Sequence, residues 1–459
     1  MTLLPSLVKG MRDYSSLQVY RRNYMLAAIQ AIYTRYGFEP LETPALEHRS
    51  TLTGKYGSEG EQLMFNVLKS GDFLEGIEAN TTDYKKLKAL LSDKGLRYDL
   101  TVPLMRHIAA HQHEICFPFR RYQMQPVWRA DRPQRGRYRE FLQCDADIIG
   151  STSLLCEAEI LKLIYDVCTQ LNIRGFCIKI NHRGILSAIA DPEKEKEKEK
   201  LFCTIVDKLE KIGLEKVIAA LQAAGFSSQA TASLVQLQNC NGSHTERLGQ
   251  LQAAIGDVAQ GAKAIEELSN ILTQAHGLGL PDGICCIDPT LARGLAYYTG
   301  LVMELTVAAT PIGSLGGGGR YANLGALFGA KGLTGVGFSF GIDRLYDLME
   351  AQNLFQSITT YTTEVLLTNL EAKAEMQLLH LLNQLRTAGI QAEIYPQRVK
   401  INKQLSYAHK KNIPFVVIVG ETEYAMDHYT LKNMQTGVQN RYRASELLGL
   451  LKTALATKC

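Results

Sequence analysis

Residues 185–279 read as helix almost throughout, rich in Leu, Ala, Lys, Glu and Gln, yet strand-like runs and glycines lie on both sides of them. Such a stretch furnishes no strands, so a sheet built from its flanks is interrupted by an inserted helical domain, bounded at 185–283. Inside it, residues 193–200 alternate Glu and Lys and present no apolar face. A solvated helix start or loop fits that pattern better than a binding tract.

Upstream, Tyr20, Tyr24, Ala27, Ala28, Ile32 and Tyr33 recur at helical spacing over 20–36, with Gly37 where a helix would stop. Residues 37–44 follow as a short extended segment closed by Pro44. Strand-like runs come at 63–68, 96–100, 121–129 and 144–150, then a helix at 154–171 and a strand at 176–181. Beyond the insert, strand signals and glycines fill 284–341, and a helix spans 342–352. Strands gathered around long helices, without strict βαβ alternation, predict an α+β domain over 1–350 with a mostly antiparallel sheet flanked by helices. The remainder alternates instead, with strands at 364–367, 392–395 and 415–419, helices at 372–388, 402–410 and 444–454, and a further strand pair. That pattern predicts a separate α/β unit, 362–459, after a linker at 351–361.

A chain of 459 residues, 46% hydrophobic and 21% charged, has the make-up of an ordinary enzyme rather than a disordered or membrane protein. No apolar run reaches the roughly 18 residues of a spanning helix, and residues 1–13 lack the apolar core of a secretory signal, so a cytoplasmic home is expected. The ten cysteines form no CxxC pair, and only Cys285 and Cys286 lie close together; they read as reduced thiols. His107, His111 and His113 are neighbours without a metal-binding pattern, which suits a surface or core role better than a metal site. A net charge of +4 says little about nucleic acid, since a local basic patch matters more than the sum.

No GxxxxGK[ST] phosphate loop is present, and the glycine-dense stretch 313–319 lacks both the lysine and the following helix. A tight strand–turn accounts for those glycines equally well. Arginine stands out instead, in Phe119-Arg120-Arg121 and again at Arg129, Arg132, Arg135, Arg137 and Arg139. Two strand-like flanks around Pro133 and Gly136 make this an arginine-rich hairpin. Guanidinium forks donate paired hydrogen bonds to phosphate and never lose their charge. A hairpin that merely keeps a solvated edge charged is the alternative.

The run Trp128-Arg129-Ala130-Asp131-Arg132-Pro133 with Gly136-Arg137-Tyr138-Arg139-Glu140-Phe141 resembles motif 2 of class II aminoacyl-tRNA synthetases. Pro44, after its extended segment, looks like motif 1, and Gly335-Val336-Gly337-Phe338-Ser339-Phe340-Gly341-Ile342-Asp343-Arg344-Leu345 looks like motif 3. Leu291-Ala292-Arg293-Gly294-Leu295-Ala296-Tyr297-Tyr298-Thr299-Gly300 is similar to the signature of histidyl-tRNA synthetases. So are Lys9-Gly10-Met11-Arg12-Asp13 and Gly316-Gly317-Gly318-Gly319-Arg320-Tyr321. The resemblance covers nearly the whole chain apart from the insert.

What the resemblance implies is ATP-dependent activation of L-histidine and its transfer to the 3′ end of tRNA(His). Arg129 would grip the α-phosphate, with Asp131 in the same ATP site, while Arg137 would reach the β/γ end and Arg344 would clamp the γ-phosphate. ATP would enter as its Mg²⁺ complex, and no structural metal is expected. Arg293 would sit by the histidine carboxylate and the α-phosphate, so Arg293 and Arg129 are the catalytic candidates. Charge concentrates there when a carboxylate attacks phosphorus, and fixed cations stabilise it. Asp147 and Tyr298 match positions that hold the imidazole, a ring that needs a partner for each nitrogen. Tyr297 lies beside them, and Asp99, Thr101 and Gln143 match positions for the α-amino group.

The terminal unit resembles the anticodon-binding domain of histidyl, threonyl, prolyl and glycyl enzymes. Its Arg398, Lys400, Lys403, Lys410 and Lys411 gather around one helix, either as a backbone-binding face or as a solvated one. Gln134 and Arg135 of the motif 2 loop join Arg398, Lys400 and Lys403 as tRNA candidates. The motif 1 resemblance implies a homodimer. The chain departs from the family at Ala296, commonly acidic or amide, and at Ala322, usually aspartate, which bears on the hydrogen bonding behind Tyr297 and Arg320. Two rivals are a non-catalytic relative, such as a regulatory subunit or RNA sensor, and another class II enzyme with a related C-terminal domain. The first tends to lose the motif arginines kept here, and the second lacks the string from Arg293 to Tyr298.

Overall fold

The helical run splits the sequence but not the sheet. A computed structural model describes residues 4–53, 62–74, 83–190, 196–293, 297–308, 310–322, 324–330, 332–356 and 363–456. The chain divides into two compact units, Met1–Gln356 and Ser357–Cys459.

In the first unit, strands precede the insert as β1 (Glu39–Pro40), β2 (Leu46–His48), β3 (Asn66–Val67), β4 (Lys94–Leu96), β5 (Phe119–Trp128), β6 (Glu140–Ile149) and β7 (Phe176–His182). They resume after it as β8 (Cys285–Ile287), β9 (Leu301–Val307), β10 (Gly316–Tyr321) and β11 (Gly335–Gly341). Eight of the described strands form one sheet in the order β1-β5-β6-β11-β10-β9-β7-β8. Its inner pairings are antiparallel, and only the outermost, β1 with β5 and β7 with β8, are parallel. A second, small sheet runs β2-β4-β3.

Helix Ser16–Arg35 buries Met25, Ile29, Ile32 and Tyr33, and Tyr33 meets the large sheet, donating to Cys144 O at 2.9 Å and lying against Tyr122. It begins earlier than the apolar spacing predicts because Ser15 and Gln18 form a capping box, with the Gln18 N–H donating to Ser15 Oγ. Of the extended segment expected at 37–44, only Glu39–Pro40 pairs, and the run expected at 63–68 pairs only over Asn66–Val67. The strand expected at 96–100 stops at Leu96, and helix Thr101–His111, absent from the sequence reading, follows at once. Asp99 sets that turn by accepting the Val102 N–H at 3.1 Å. His107 and His111 lie on this helix with ring centroids 4.6 Å apart, and burial pushes His107 below its ordinary range.

The insert is helical as expected, from Arg183–Ile189 through Ala259–Gly277. Ser227 and Ser243 cap two of its helices, and Gly213, at φ +83°, makes the break between Leu209–Ile212 and Leu214–Ala223. Phe202, Val217, Leu221, Leu234, Leu237, Leu251 and Leu268 form its buried side. The Glu-Lys run reaches helix Lys196–Val206, and residues 191–195 lie outside the described part.

The second unit carries β12 (Val365–Leu367), β13 (Ala392–Ile394), β14 (Phe415–Ile418), β15 (Tyr429–Asn433) and β16 (Gln439–Tyr442), ordered β13-β12-β14-β15-β16. The first three of that order are parallel, and the others are antiparallel. Leu378, Leu382 and Leu447 pack on one set of sheet residues, and Ala408 and Ile413 on the alternate set, as a doubly covered sheet requires. Helix Ile342–Ala351 runs into the segment expected as a linker, of which residues 357–361 lie outside the described part.

Candidate active site

Three neighbouring strands turn their polar residues to one face. Arg121, Gln123 and Gln125 of β5 stand opposite Asp147, Asp145 and Gln143 of β6, which stand opposite Gly337, Ser339 and Gly341 of β11. Alternate strand residues share a face. The result is a buried polar patch at the middle of the sheet, and its β6 residues line a cavity of about 560 Å³. Arg129, Arg137, Arg293 and Arg344 border the same cavity, as do Asp99, Thr101, Asp131, Tyr297 and Tyr298.

At one end Asp147 lies 2.9 Å from Arg121 Nη2 and accepts the Tyr321 hydroxyl at 2.6 Å. Burial raises the Asp147 carboxyl, while Arg121 and Tyr321 oppose the rise. The rings of Tyr297 and Tyr298 are 4.8 Å apart, and the Tyr297 hydroxyl donates to Asp99 at 3.2 Å. Burial keeps the Tyr298 phenol protonated to higher pH than usual, so it remains a donor.

The glycines of β10 and β11 make room for these groups. A Cβ on Gly317 would overlap the Arg293 guanidinium, and one on Gly337 would overlap the Asp147 carboxylate. Functional side chains therefore rest directly on strand backbone, and the glycine-dense stretch includes a central strand as well as a turn. Arg293 pairs with Glu304 of β9 at 3.1 Å, a residue in register with Gly317. Gly294, Leu295 and Ala296 lie outside the described residues.

At the other end, β5 and β6 form the expected arginine hairpin, closed by an isolated bridge between Gln134 and Arg137. Gly136, at φ +71°, turns its carbonyl to the Arg344 Nε at 2.6 Å, and Ser314 O accepts from Arg344 Nη1 at 2.6 Å. Arg129 donates to Tyr98 O at 3.0 Å and lies over the Tyr98 ring, and Arg137 pairs with Asp131 at 3.1 Å. Burial, then Arg137 and Arg129, push the Arg344 guanidinium down, so three cations converge where an anion would relieve them. Gln134 and Arg135 sit exposed at the hairpin tip.

The Lys9–Asp13 string straps this hairpin to helix Ile342–Ala351. Asp343 receives Arg12 at 2.5 Å, Tyr14 at 2.7 Å, Arg22 at 2.7 Å and the Leu142 N–H at 3.0 Å. Burial alone would raise the Asp343 carboxyl, but these partners hold it below its usual range. Arg12 also stacks on Tyr138 at 3.6 Å, and the Arg139 N–H donates to Gly10 O at 2.8 Å. Arg320 is structural: buried, it bonds Glu157, Ser151 O and Ser153 O, so Ala322 leaves it fully partnered.

Sequence reasoning gave Arg121 only a place in the arginine cluster and Tyr321 only one in a family string, and it missed Asp145; what joins the three to Asp147 is alternation along β6 and the register of neighbouring strands. It also missed Asp207, Lys208 and Lys211 of the insert, which line the cavity. Lys179 of β7 ties that segment down, 2.6 Å from Glu210 and 3.3 Å from Asp288. In the second unit, Arg398, Lys400, Lys403 and Lys410 are exposed about helix Ile401–Lys410, whereas Lys411 is taken up by Glu393 at 3.0 Å.

The histidyl-tRNA synthetase family model matches residues 10–345, and an anticodon binding domain model matches 364–454. The chain is 46% identical to a histidine–tRNA ligase of Cytophaga hutchinsonii, over 97% of this chain and 98% of that one. A Bacteroides fragilis histidine–tRNA ligase is also 46% identical, over 98% of this chain and the whole of its own. Among solved structures, histidyl-tRNA synthetase from a Nostoc species aligns with TM-score 0.79 at 30% identity, covering 99% of this chain and 100% of that one. A Bacillus halodurans structure described as an ATP phosphoribosyltransferase regulatory subunit/histidyl-tRNA synthetase, 18% identical, covers 91% of this chain and 99% of its own at TM-score 0.73, a likeness of fold alone.

Proposed function

The chain belongs to the histidyl-tRNA synthetase family, and on that premise we propose how its residues divide the two steps of the reaction. The activity is ATP-dependent conversion of L-histidine to histidyl-adenylate with release of pyrophosphate, then transfer to the 3′ end of tRNA(His). The residue assignment rests on one observation: a single cavity is bordered by four arginines and by Asp147 and Tyr321, with the buried Arg121 beside Asp147.

Asp147 accepts one imidazole N–H, and the Tyr298 hydroxyl serves the other nitrogen. Asp99, Thr101 and Gln143 take the α-ammonium, with Tyr297 bracing Asp99. The histidine carboxylate then lies toward Arg293, facing the α-phosphate gripped by Arg129, while Arg137 and Arg344 hold the outer phosphates. ATP enters as its Mg²⁺ complex, a substrate whose ion is bound largely by phosphate oxygens and water. As charge gathers on the α-phosphoryl oxygens, guanidiniums already fixed by Glu304 and Tyr98 O stabilise it without reorganising. Pyrophosphate exchange with each amino acid in turn tests the activity, and exchange with histidine alone is expected. No exchange at all would indicate a non-catalytic relative, and exchange with another amino acid a related enzyme.

The basic face of the terminal unit anchors tRNA by its phosphates, with Gln134 and Arg135 meeting the acceptor end. Removing two such contacts, in Lys400→Ala with Lys403→Ala, is expected to leave pyrophosphate exchange unchanged while raising the KM for tRNA. The dependence of log KM on log salt should lose a slope of about 1.4 to 1.8. Charging kinetics at several salt concentrations check this, and an unchanged KM removes both lysines from the interface. The protein works as a homodimer through the segment around Pro44, where Leu46 is exposed beside buried Thr43. It acts in the cytoplasm, and none of its described helices is long and apolar enough to cross a membrane.

A further inference from the structure

Between Gln143 and Asp147 on the same face of β6 lies Asp145, which the functional reading above leaves without a task. It is 2% exposed, it lines the cavity, and its Oδ1 has no hydrogen-bond partner among the described residues. The neighbouring Gln143 Oε1 is unpartnered in the same way, while its Nε2 donates to Ser339 Oγ at 2.5 Å. Buried polar atoms are nearly always paired, so two adjacent orphaned acceptors facing one cavity mark where donors of a ligand belong.

We propose that Asp145 is a third carboxyl of the histidine site, whose unpartnered oxygen accepts an N–H of bound histidine and whose own proton leaves to solvent as histidine binds. The inference rests on the functional reading of this cavity. Its basis is a shared cation: Arg121 Nη2 is 2.9 Å from Asp147 but 4.0 Å from Asp145, so one guanidinium serves two carboxyls and favours the first. Burial, together with Asp147 and Asp99, pushes the Asp145 carboxyl up to about 7, with Arg121 and Ser339 opposing. Tyr33 from helix Ser16–Arg35, Arg97 and the neighbouring Cys144, whose thiol burial holds well above its usual range, are further titratable groups near it. Near neutrality Asp145 thus holds a proton for part of the time. An incoming N–H donor, above all the α-ammonium, stabilises the carboxylate and drives that proton off. The binding-competent form is the ionised one, so histidine affinity rises as pH climbs through about 7 and declines below it.

The test compares the full-length protein with Asp145→Asn by titration calorimetry near neutral pH, in two buffers of different ionisation enthalpy. Histidine should release more protons from the wild type than from the variant. In pyrophosphate exchange above neutral pH, the variant's KM for histidine should rise about tenfold, the scale for a hydrogen bond to a charged group, with a flattened pH profile and a smaller change in kcat. Histamine and 3-(imidazol-4-yl)propionate locate the donor: extra release kept only with histamine assigns the amine, and release kept with the propionate assigns the ring. Equal proton release and equal KM in the two proteins overturn the proposal, provided the wild type shows histidine-dependent exchange. A wild type without exchange fails the functional reading instead. If the variant does not fold, infrared difference spectra of the wild type decide: a protonated-carboxyl band should fall on adding histidine, and a constant band overturns the role.

Discussion

Arg293→Ala is expected to lower histidine-dependent pyrophosphate exchange by about 10²-fold or more, the scale for losing one fixed donor to a transition-state oxyanion. The fall should appear chiefly in kcat, from charge that develops during attack on phosphorus, with some rise in the KM for histidine because the guanidinium also faces its carboxylate. Arg293→Lys should recover little, since a lysine ammonium lacks the planar fork that holds one edge on Glu304 and aims another at the reacting phosphate. Melting temperature separates this from a structural role: a variant that has merely lost its fold loses stability in step with activity. Normal turnover in Arg293→Ala would falsify its place in the mechanism.

The second large effect concerns Asp147. In Asp147→Ala the imidazole loses its acceptor, and the KM for histidine should rise by about 10- to 100-fold while ATP binding is unaffected. Arg121 is fully buried, and removing the partner of a buried charge costs about 3–5 kcal/mol when nothing replaces it. Asp145, 4.0 Å from Arg121, is placed to ionise in its stead. With Asp147 gone its carboxyl falls from about 7, so the variant's stability deficit should be smaller above neutral pH than below it. Thermal unfolding across that range, beside exchange kinetics, measures both parts. Equal loss of ATP and histidine binding would make Asp147 a structural residue only.

Local signals carried much of this site. The arginine hairpin was legible because Pro133 and Gly136 mark its turn, and the helical insert because its period differs from that of its flanks. Helix Thr101–His111 was not, since Leu96 to Leu100 is too short a run to tell strand from helix entry, and Pro103 in its first turn reads as a breaker. Asp145 escaped, and Tyr321 stood only inside a family string without a role, for a different reason. Their meaning comes from β6 pairing with β11 and β11 with β10, and strand register across distant segments leaves no mark on single-residue pattern. The bared backbone at Gly317 and Gly337 is likewise explained only by what lies on top of it.

The pairing of β6 with β11 also dictates when this protein can be finished. The ribosome releases β5 and β6 early, as a hairpin whose β6 edge has hydrogen-bonding groups to fill. The strand that fills them, β11, begins only at Gly335, with the whole insert in between. At translation speeds of about 5–20 residues per second, the edge waits on the order of ten to forty seconds. The helices of the insert, whose contacts are local, can assemble during that interval, so the domain that interrupts the sheet forms before the sheet it interrupts. Until then β6 is an open template for pairing with another nascent chain, and its buried-to-be face carries Gln143, Asp145 and Asp147. Polar residues needed later for substrate thus make the exposed edge less adhesive while synthesis continues.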